Sequence, residues 1–187
     1  MQPQNRLRYG AYVSMYAELG LLRQRLDGET SGRAQCVLIA GEAGVGKSRL
    51  LRAAAEEGVR RGALVLTGRA VERDSPLPFR PLAEALFSHL RKSGPPQVRE
   101  LAPFRPILGR LVPEWRLPGG SPGEESLVVL GEAVLRLLAT LGEGAGCVLV
   151  LEDLHWADEA TLDVVRLLGR RVARLPALVI ATYRDDE

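Results

Sequence analysis

Short apolar segments alternate along the chain with segments in which apolar residues recur every three or four positions. The apolar segments have the length of buried strands, and they are residues 36–40, 63–67, 147–151 and 177–182. The periodic segments predict helices over residues 49–60, 124–141 and 159–175, and a shorter helix after Ser14. This alternation predicts a three-layer α/β fold in which helices cover both faces of a parallel sheet.

The middle of the chain departs from this pattern. Prolines recur between residues 69 and 123, and helical spacing is confined there to residues 82–90 and about 104–111. We therefore predict that residues 69–123 are an insertion of short helices between the second and third strands. The expected organisation is an N-terminal lead-in and helix at residues 1–35, followed by one core at residues 36–187.

The composition is typical of a globular protein without a strong electric field. The 187 residues are 46% hydrophobic and 26% charged, and the net charge is +2. No apolar run approaches the length of a membrane span, and the N-terminus lacks the apolar core of a signal peptide. We expect a cytoplasmic protein in which Cys36 and Cys147 are reduced core residues.

A glycine-rich segment joins the first predicted strand to the first helix of the core. It fits the phosphate-loop pattern of Gly, four residues and Gly-Lys-Ser, in which backbone N–H groups surround phosphate oxygens. Lys47 would contact the β- and γ-phosphates, and the Ser48 hydroxyl would bind Mg²⁺. The phosphates would lie at a helix N-terminus, which favours anions. The predicted nucleotide-binding residues are Gly41, Glu42, Ala43, Gly44, Val45, Gly46, Lys47, Ser48 and Arg49.

Two acidic residues follow the third predicted strand, at the end where α/β sheets bind their ligands. Glu152 would hold Mg²⁺ directly or through water. Asp153 would share the metal site and orient the water that attacks the γ-phosphate. The alternative is that these two acids only begin a solvated loop.

Arg184 follows the fourth predicted strand at the same rim, where its charge would stabilise the γ-phosphate. The alternative is a surface arginine paired with the acids that follow it. Thr182 is a weaker candidate for the site. His155 either forms a hydrogen bond near the nucleotide or, like Trp156, packs against its neighbours. The predicted catalytic residues are therefore Lys47, Asp153 and Arg184.

Longer segments around these residues resemble a known family. Gly-Glu-Ala-Gly-Val-Gly-Lys-Ser at residues 41–48 and Val-Leu-Val-Leu-Glu-Asp-Leu-His-Trp-Ala-Asp-Glu-Ala-Thr-Leu at residues 148–162 resemble the STAND class of P-loop ATPases. The similarity is to the ATPase module of large LuxR-type transcriptional regulators and of some multidomain nucleotide cyclases. Ala-Thr-Tyr-Arg-Asp-Asp-Glu at residues 181–187 resembles the sensor segment of that family, with Arg184 in the sensor position.

The resemblance implies the strand order 5-1-4-3-2, of which this chain carries 1-4-3-2. We expect a fragment that is truncated before the fifth strand and the helical lid, so that the phosphate-loop strand becomes an exposed edge. The family's Val-Gly-Arg-x-x-Glu-Leu segment corresponds to residues 13–19, where Ser14 and Met15 replace Gly and Arg. The source of base recognition is therefore left open.

In function, the resemblance implies a switch that binds ATP with Mg²⁺ and hydrolyses it slowly within a larger regulator. The expected partners are ATP and ADP, together with effector and sensor domains absent from this chain and a nucleotide-dependent oligomer. Direct binding of nucleic acid or membrane by this segment is not expected. The alternatives are a nucleotide-binding module without significant hydrolysis and, less favoured, a small-molecule kinase on the same fold.

Overall fold

A parallel sheet of five strands forms the centre of the computed structural model, which describes residues 6–8, 20, 35–72, 78–94, 96, 98–115, 126–172 and 175–184. The strands are β1 (Arg6–Arg8), β2 (Gln35–Ala40), β3 (Leu64–Arg69), β4 (Cys147–Glu152) and β5 (Ala177–Tyr183). Their order across the sheet is β1-β2-β5-β4-β3, and all neighbouring pairs are parallel. The α/β fold and the order 1-4-3-2 of the four predicted strands are therefore confirmed.

The strand β1 corrects the expectation for the edge of the sheet. Its three residues pair with Leu38, Ile39 and Ala40 of the phosphate-loop strand. The prediction that this strand has an exposed edge is wrong over these residues. A segment of three residues, Arg-Leu-Arg, is too short to show a periodicity in the sequence. It becomes a strand because the edge of β2 offers backbone N–H and C=O groups for pairing.

The helices that cover the sheet are close to those predicted. They are α1 (Lys47–Arg60), α2 (Arg80–Ser93), α3 (Arg105–Leu108), α4 (Leu127–Leu141) and α5 (Glu159–Arg171). The helix α5 ends at Arg171, four residues before the predicted end at residue 175. The helix predicted after Ser14 lies outside the described residues, apart from Gly20, which is helical.

The Pro-rich insertion forms one full-length helix and several short helical pieces. It begins after Arg69, which belongs to β3, and its longest helix is α2. The predicted helical piece at about 104–111 is α-helical only over the single turn α3, and a 3-10 helix, Arg99–Phe104, precedes it. Pro103 lies in the 3-10 helix and lacks the N–H group that an α-helix needs. A further 3-10 helix, Pro113–Trp115, follows.

Two hydrophobic clusters cover the two faces of the sheet. The helix α1 packs on one face, where Leu50, Leu51 and Ala54 contact residues of β2, β4 and β5. The helices α2, α4 and α5 pack on the other face and form the larger cluster with the insertion. Successive residues of β4 alternate between the clusters, with Val148 and Val150 towards α1 and Leu149 and Leu151 towards the other face. This arrangement is the predicted three-layer fold.

A close approach between α2 and β3 fixes the insertion next to the candidate site. A Cβ atom built on Gly68 would lie 1.8 Å from the carbonyl oxygen of Pro81, so only glycine allows this contact. The helix α2 therefore begins directly beside the carboxyl end of β3. Its Glu84 accepts a hydrogen bond from the backbone N–H of Arg69 at 3.3 Å.

The two cysteines are core residues, as predicted. Both thiols are free, and β5 lies between the strands that carry them. Burial raises the pKa of Cys36 to about 11 and that of Cys147 to about 12. Among the described residues, no helix is long and apolar enough to cross a membrane.

Candidate functional site

The carboxyl ends of β2, β5 and β4 bring the predicted site residues to one edge of the sheet. Ala40 pairs with Tyr183, and Leu151 pairs with Ala181. The phosphate loop, Arg184 and the acidic pair Glu152-Asp153 therefore leave the sheet at nearly the same level. The strands that precede the loop and the acids are two strand spacings apart, about 10 Å. The structure thus assembles residues that are far apart in sequence on the edge where parallel sheets bind ligands.

The phosphate loop has the backbone of an anion-binding turn. Gly44 and Gly46 adopt φ angles of 78° and 100°, which a side chain would strain. Gly46 is also the N-cap of α1, whose first turn carries no acidic residue. The positive end of the α1 dipole and the first N–H groups of the helix therefore face the loop, and the helix brings no carboxylate of its own to this end. This arrangement favours a phosphate.

Lys47 is folded into the loop. Its side chain is 8% exposed, and its ammonium group donates hydrogen bonds to the carbonyl oxygens of Gly41 and, at 2.8 Å, Glu42. Ser48 and Arg49, next along α1, are exposed. A phosphate that entered the loop would compete with the two carbonyl groups for the ammonium group. The backbone carbonyl groups of the loop therefore hold the Lys47 ammonium group in place.

Asp153 is held in an unusual backbone conformation. Its φ and ψ angles are 56° and 43°, in the left-handed region. Its N–H group donates to the hydroxyl of Thr182 at 3.0 Å, and its carbonyl accepts from the N–H of Trp156 at 3.0 Å. Thr182 is fully buried, so the link to β5 is shielded from water. Thr182, the weaker candidate from the sequence, thus anchors the backbone of Asp153.

The side chain of Asp153 is paired with Arg69. Both Nε and Nη2 of Arg69 contact Oδ2 of Asp153, at 2.9 and 2.8 Å. The Arg69 side chain is 59% exposed and that of Asp153 is 17% exposed, so water screens much of this ion pair. Arg69 is the last residue of β3 and pairs with Glu152 in the neighbouring strand.

Arg69 is a site residue that the sequence reasoning missed. Its only sequence feature is a basic side chain at the carboxyl end of an apolar strand. That position becomes informative only when β3 is known to lie beside β4. The pairing of Arg69 with Asp153 therefore depends on the strand order and not on any local motif.

The remaining predicted residues lie at the same edge of the sheet, but their contacts do not fix a role for each of them. Glu152 and Arg184 are half-buried, and the acids that follow Arg184 lie outside the described residues. The ring centroids of His155 and Trp156 are 5.1 Å apart and the rings are tilted by 49°, as expected for packing. Both alternatives for Arg184 therefore stay open, and the geometry of His155 favours the packing role.

The donor chemistry at this edge fits a hard cation. Ser48 offers a hydroxyl oxygen, and Glu152 and Asp153 offer carboxylate oxygens, which Mg²⁺ prefers. Within the described residues, no three His, Cys, Asp or Glu side chains cluster into a metal site. A magnesium ion bound here would therefore keep several water ligands, as it does in many phosphate sites.

Comparisons with known proteins cover almost the whole chain. A family model described as "AAA ATPase domain" matches residues 16–180. An uncharacterized protein of Rhizobium meliloti (strain 1021), R02095, is 24% identical over an alignment of 197 positions that covers 95% of this chain and 19% of that protein. The chain thus spans about a fifth of the length of this relative.

Two solved structures are similar at low identity. One is the structure of C. elegans PCH-2, with 13% identity, a TM-score of 0.41, and coverage of 92% of this chain and 38% of that chain. The other is the structure of Drosophila ORC bound to AT-rich DNA and Cdc6. It has 12% identity, a TM-score of 0.39, and coverage of 91% of this chain and 49% of that chain.

Proposed function

The chain belongs to the AAA ATPase domain family, and from this membership we propose that it is an ATP-binding switch module that hydrolyses ATP slowly. The family implies nucleotide binding. The finer proposal is a signal-transduction ATPase of the STAND class within a larger LuxR-type transcriptional regulator or a similar multidomain protein. The support for it is the resemblance of residues 41–48, 148–162 and 181–187 to that class.

The observation that carries the proposal is the register of β2, β5 and β4. It places a phosphate loop, an arginine and an acidic pair on one edge of the sheet. The Lys47 ammonium and the N–H groups of the loop can bind the phosphates. Asp153, about two strand spacings away, is at a suitable distance to bind a water beyond the γ-phosphate. Each group alone has a structural alternative, but their convergence favours phosphoryl transfer to water.

In the proposed mechanism, the phosphate loop binds the phosphates of the nucleotide, and the residues that follow the carboxyl ends of the strands hydrolyse it. The N–H groups of Gly44 and its neighbours and the Lys47 ammonium bind the β- and γ-phosphates. Ser48, Glu152 and Asp153 would hold Mg²⁺, which neutralises phosphate charge when bound. Asp153 orients the attacking water and accepts its proton, and Arg184 stabilises the charge that develops on the γ-phosphate. Transfer of the phosphoryl group to water yields ADP and phosphate.

Slow turnover is proposed because two of these groups are already engaged by the protein. The Lys47 ammonium is bonded to the carbonyls of Gly41 and Glu42. The Asp153 carboxylate is bonded to Arg69. Both groups must exchange partners before they act on a nucleotide and a water. Such an exchange makes the module respond to whatever shifts the equilibrium between the two arrangements.

The test separates binding from hydrolysis. We expect Asp153→Asn to lower phosphate release by about 10²- to 10⁴-fold and to leave the Kd for ATP nearly unchanged, because it removes the base and keeps the shape. Lys47→Ala should abolish binding. The matched control is Lys92→Ala, which removes an exposed lysine at the end of α2. Loss of ATP binding in Asp153→Asn would overturn the catalytic role of this acid.

A second candidate function is a nucleotide-binding module without significant hydrolysis. The Arg69–Asp153 ion pair favours it, because the carboxylate oxygen that would take the proton of the water is already bonded to the guanidinium of Arg69. Equilibrium binding of ATP together with a phosphate release no faster than that of Asp153→Asn would establish this alternative. A release that Asp153→Asn abolishes would exclude it.

The wider role is proposed from the extent of the similarity. Because the relative R02095 is about five times longer than the matched region, effector and sensor domains elsewhere in a longer protein fit the proposal. The proposed organisation is a lead-in at residues 1–35 and a core at residues 36–187, in a cytoplasmic protein that forms a nucleotide-dependent oligomer. Sedimentation with and without ATP and Mg²⁺ tests the oligomer, and a mass independent of nucleotide would contradict it.

A further inference from the structure

Two residues with strained backbone are connected in this structure. Among the described residues, Asp153 and Phe79 are the non-glycine residues with positive φ, at 56° and 59°. Such a conformation is strained and persists only where the surrounding structure fixes it. One of the two is the proposed catalytic acid. The other is the residue that precedes α2, in the helical insertion.

The backbone of Phe79 is bound by the start of α5. Its N–H group donates to Oδ2 of Asp158 at 3.1 Å and to Oγ1 of Thr161 at 3.0 Å. The hydroxyl of Thr161 also donates to Oδ2 of Asp158. Phe79 is 3% exposed and Thr161 is fully buried, so the bond between them is shielded from water, and the bonds to Asp158 are partly shielded. We name this cluster of Phe79, Asp158 and Thr161 the Phe79 clamp.

Capping of α5 does not require the clamp. The cap of this helix is the bond from the N–H of Thr161 to Oδ1 of Asp158, at 2.9 Å. The bonds to Phe79 use the other carboxylate oxygen and the threonine hydroxyl. A helix N-cap needs only one acceptor oxygen. Oδ2 of Asp158 and the hydroxyl oxygen of Thr161 are therefore available to accept the backbone N–H of Phe79 in the insertion.

The segment between Asp153 and Asp158 is short and is held by its own backbone hydrogen bonds. It is a tight turn built on the 3-10 helix Leu154–Trp156. The N–H of Trp156 donates to the carbonyl of Asp153, and the N–H of Ala157 donates to the carbonyl of Leu154, each at 3.0 Å. The turn is fixed to β5 by the bond from Asp153 to Thr182 and to the insertion by Asp158.

A second route joins the same helix to the same acid. Glu84 of α2 accepts the N–H of Arg69, and the side chain of Arg69 holds the carboxylate of Asp153. The guanidinium of Arg110, from the end of the insertion, lies 4.8 Å from the ring centroid of Phe79. The insertion therefore holds Asp153 through its side chain and, by way of the clamp, through its backbone.

We propose that Asp158 and Thr161 are positioning residues, which hold the Phe79 amide and thereby keep Asp153 in its working conformation. The proposal rests on the proposed function in one respect, namely that Asp153 orients the water. It assigns to the insertion a part in fixing the acid, because the clamp ties the residue before α2 to the turn that carries Asp153. Neither Asp158 nor Thr161 touches the nucleotide in this scheme.

The test uses Thr161→Val, which removes the hydroxyl and keeps both the side-chain shape and the cap of α5. We expect kcat for phosphate release to fall by about tenfold, with the Kd for ATP unchanged, since a small displacement of a catalytic group is costly. Thr161→Ser restores the hydroxyl and should restore kcat. The control Ser126→Ala removes the cap of α4, in which the N–H of Val128 donates to the Ser126 hydroxyl at 3.2 Å. It should change neither quantity.

A second readout does not depend on activity. The chain has two tryptophans, and Trp156 lies in the turn between Asp153 and Asp158. In a Trp115→Phe background, Thr161→Val should shift the emission of Trp156, and Ser126→Ala should not. If Thr161→Val does not fold, Asp158→Asn replaces it. The amide oxygen of this asparagine keeps the cap, while its NH₂ group faces the Phe79 N–H and cannot accept it.

The outcomes separate the two proposals. If wild-type release does not exceed that of Asp153→Asn, the hydrolytic function fails, and the Trp156 emission still decides whether the clamp positions the turn. A lower kcat with a shifted emission in Thr161→Val alone supports the clamp. Equal behaviour of Thr161→Val and Ser126→Ala in both readouts would overturn it.

Discussion

Replacing Arg69 with alanine should release the Asp153 carboxylate and make ATP hydrolysis faster. In the structure, two nitrogen atoms of Arg69 bind one oxygen of Asp153, at 2.9 and 2.8 Å. In the proposed mechanism this oxygen must turn to the attacking water. The ion pair therefore stabilises the resting arrangement and adds to the barrier for hydrolysis.

The expected change in kcat follows from the exposure of the Arg69 and Asp153 side chains. The Arg69 side chain is 59% exposed, so water and salt screen the pair, and exposed pairs contribute about 0.2–1 kcal/mol. Because Asp153 is only 17% exposed, we take the upper part of this range. About 1 kcal/mol corresponds to a factor of about five in rate. We expect kcat to rise about two- to fivefold and the free energy of unfolding to fall by less than about 1 kcal/mol.

Phosphate release at saturating ATP measures the effect. The matched control is Arg166→Ala, which breaks an exposed pair with Asp163 at 2.7 Å on α5, away from the acids. Asp153→Asn added to Arg69→Ala should abolish the gain. Raising the ionic strength from about 0.05 to about 0.5 M should speed the wild type more than Arg69→Ala, since salt weakens the same pair.

Two results would refute this reasoning. A rate for Arg69→Ala that falls as far as that of Asp153→Asn would mean that Arg69 places the acid or contacts the phosphate in the active state. A rate equal to that of Arg166→Ala would mean that release of the carboxylate does not limit hydrolysis. Unfolding in urea, followed by tryptophan fluorescence, separates both results from a general loss of stability.

Two further predictions concern stability and thiol chemistry. Gly68→Ala should lower the free energy of unfolding by about 3 kcal/mol, since its Cβ would meet the backbone of α2 at 1.8 Å. Gly169→Ala, whose Cβ would meet the sulfur and the Cβ of Cys36 at 3.3 and 3.4 Å, should change it by less than about 1 kcal/mol; urea unfolding measures both. Burial raises the pKa of Cys36 to about 11 and of Cys147 to about 12 from an ordinary value of 9.0, so neither thiol should react with iodoacetamide near pH 8 until urea unfolds the chain. The neutral thiols stabilise the fold fully below pH 9.0, and this contribution is lost as the pH rises towards 11 and 12; rapid alkylation of the folded protein would contradict the assignment.

The elements that the sequence predicts well are those with enough residues to show a period. The helices α1, α4 and α5 and the apolar strands β2, β3, β4 and β5 have apolar spacing over a full element, so they were predictable. The strand β1 has three residues and forms only by pairing with β2. The insertion was predicted as helical, but its prolines divide it into pieces whose ends follow from packing.

The candidate site also has a part that could be predicted from the sequence and a part that could not. The phosphate loop and the acids after β4 are contiguous in sequence, so their chemistry is visible in local patterns. Arg69 contacts Asp153, and Phe79 contacts Asp158, because distant segments meet, namely β3 against β4 and the start of α2 against the start of α5. No spacing rule connects such residues. They become candidates when the strand order and the hydrogen bonds are known.

The restraints on Asp153 indicate how a switch at this acid would work. Its backbone bonds to Thr182 and Trp156 are partly or fully shielded, and each contributes about 1 kcal/mol, more where breaking it leaves a buried group unpaired. The side-chain contact to Arg69 is the exposed one and contributes less. Rotation of the carboxylate away from Arg69 therefore costs less than a change of the backbone. We expect the module to change state through this side chain while the clamp and Thr182 keep the turn fixed.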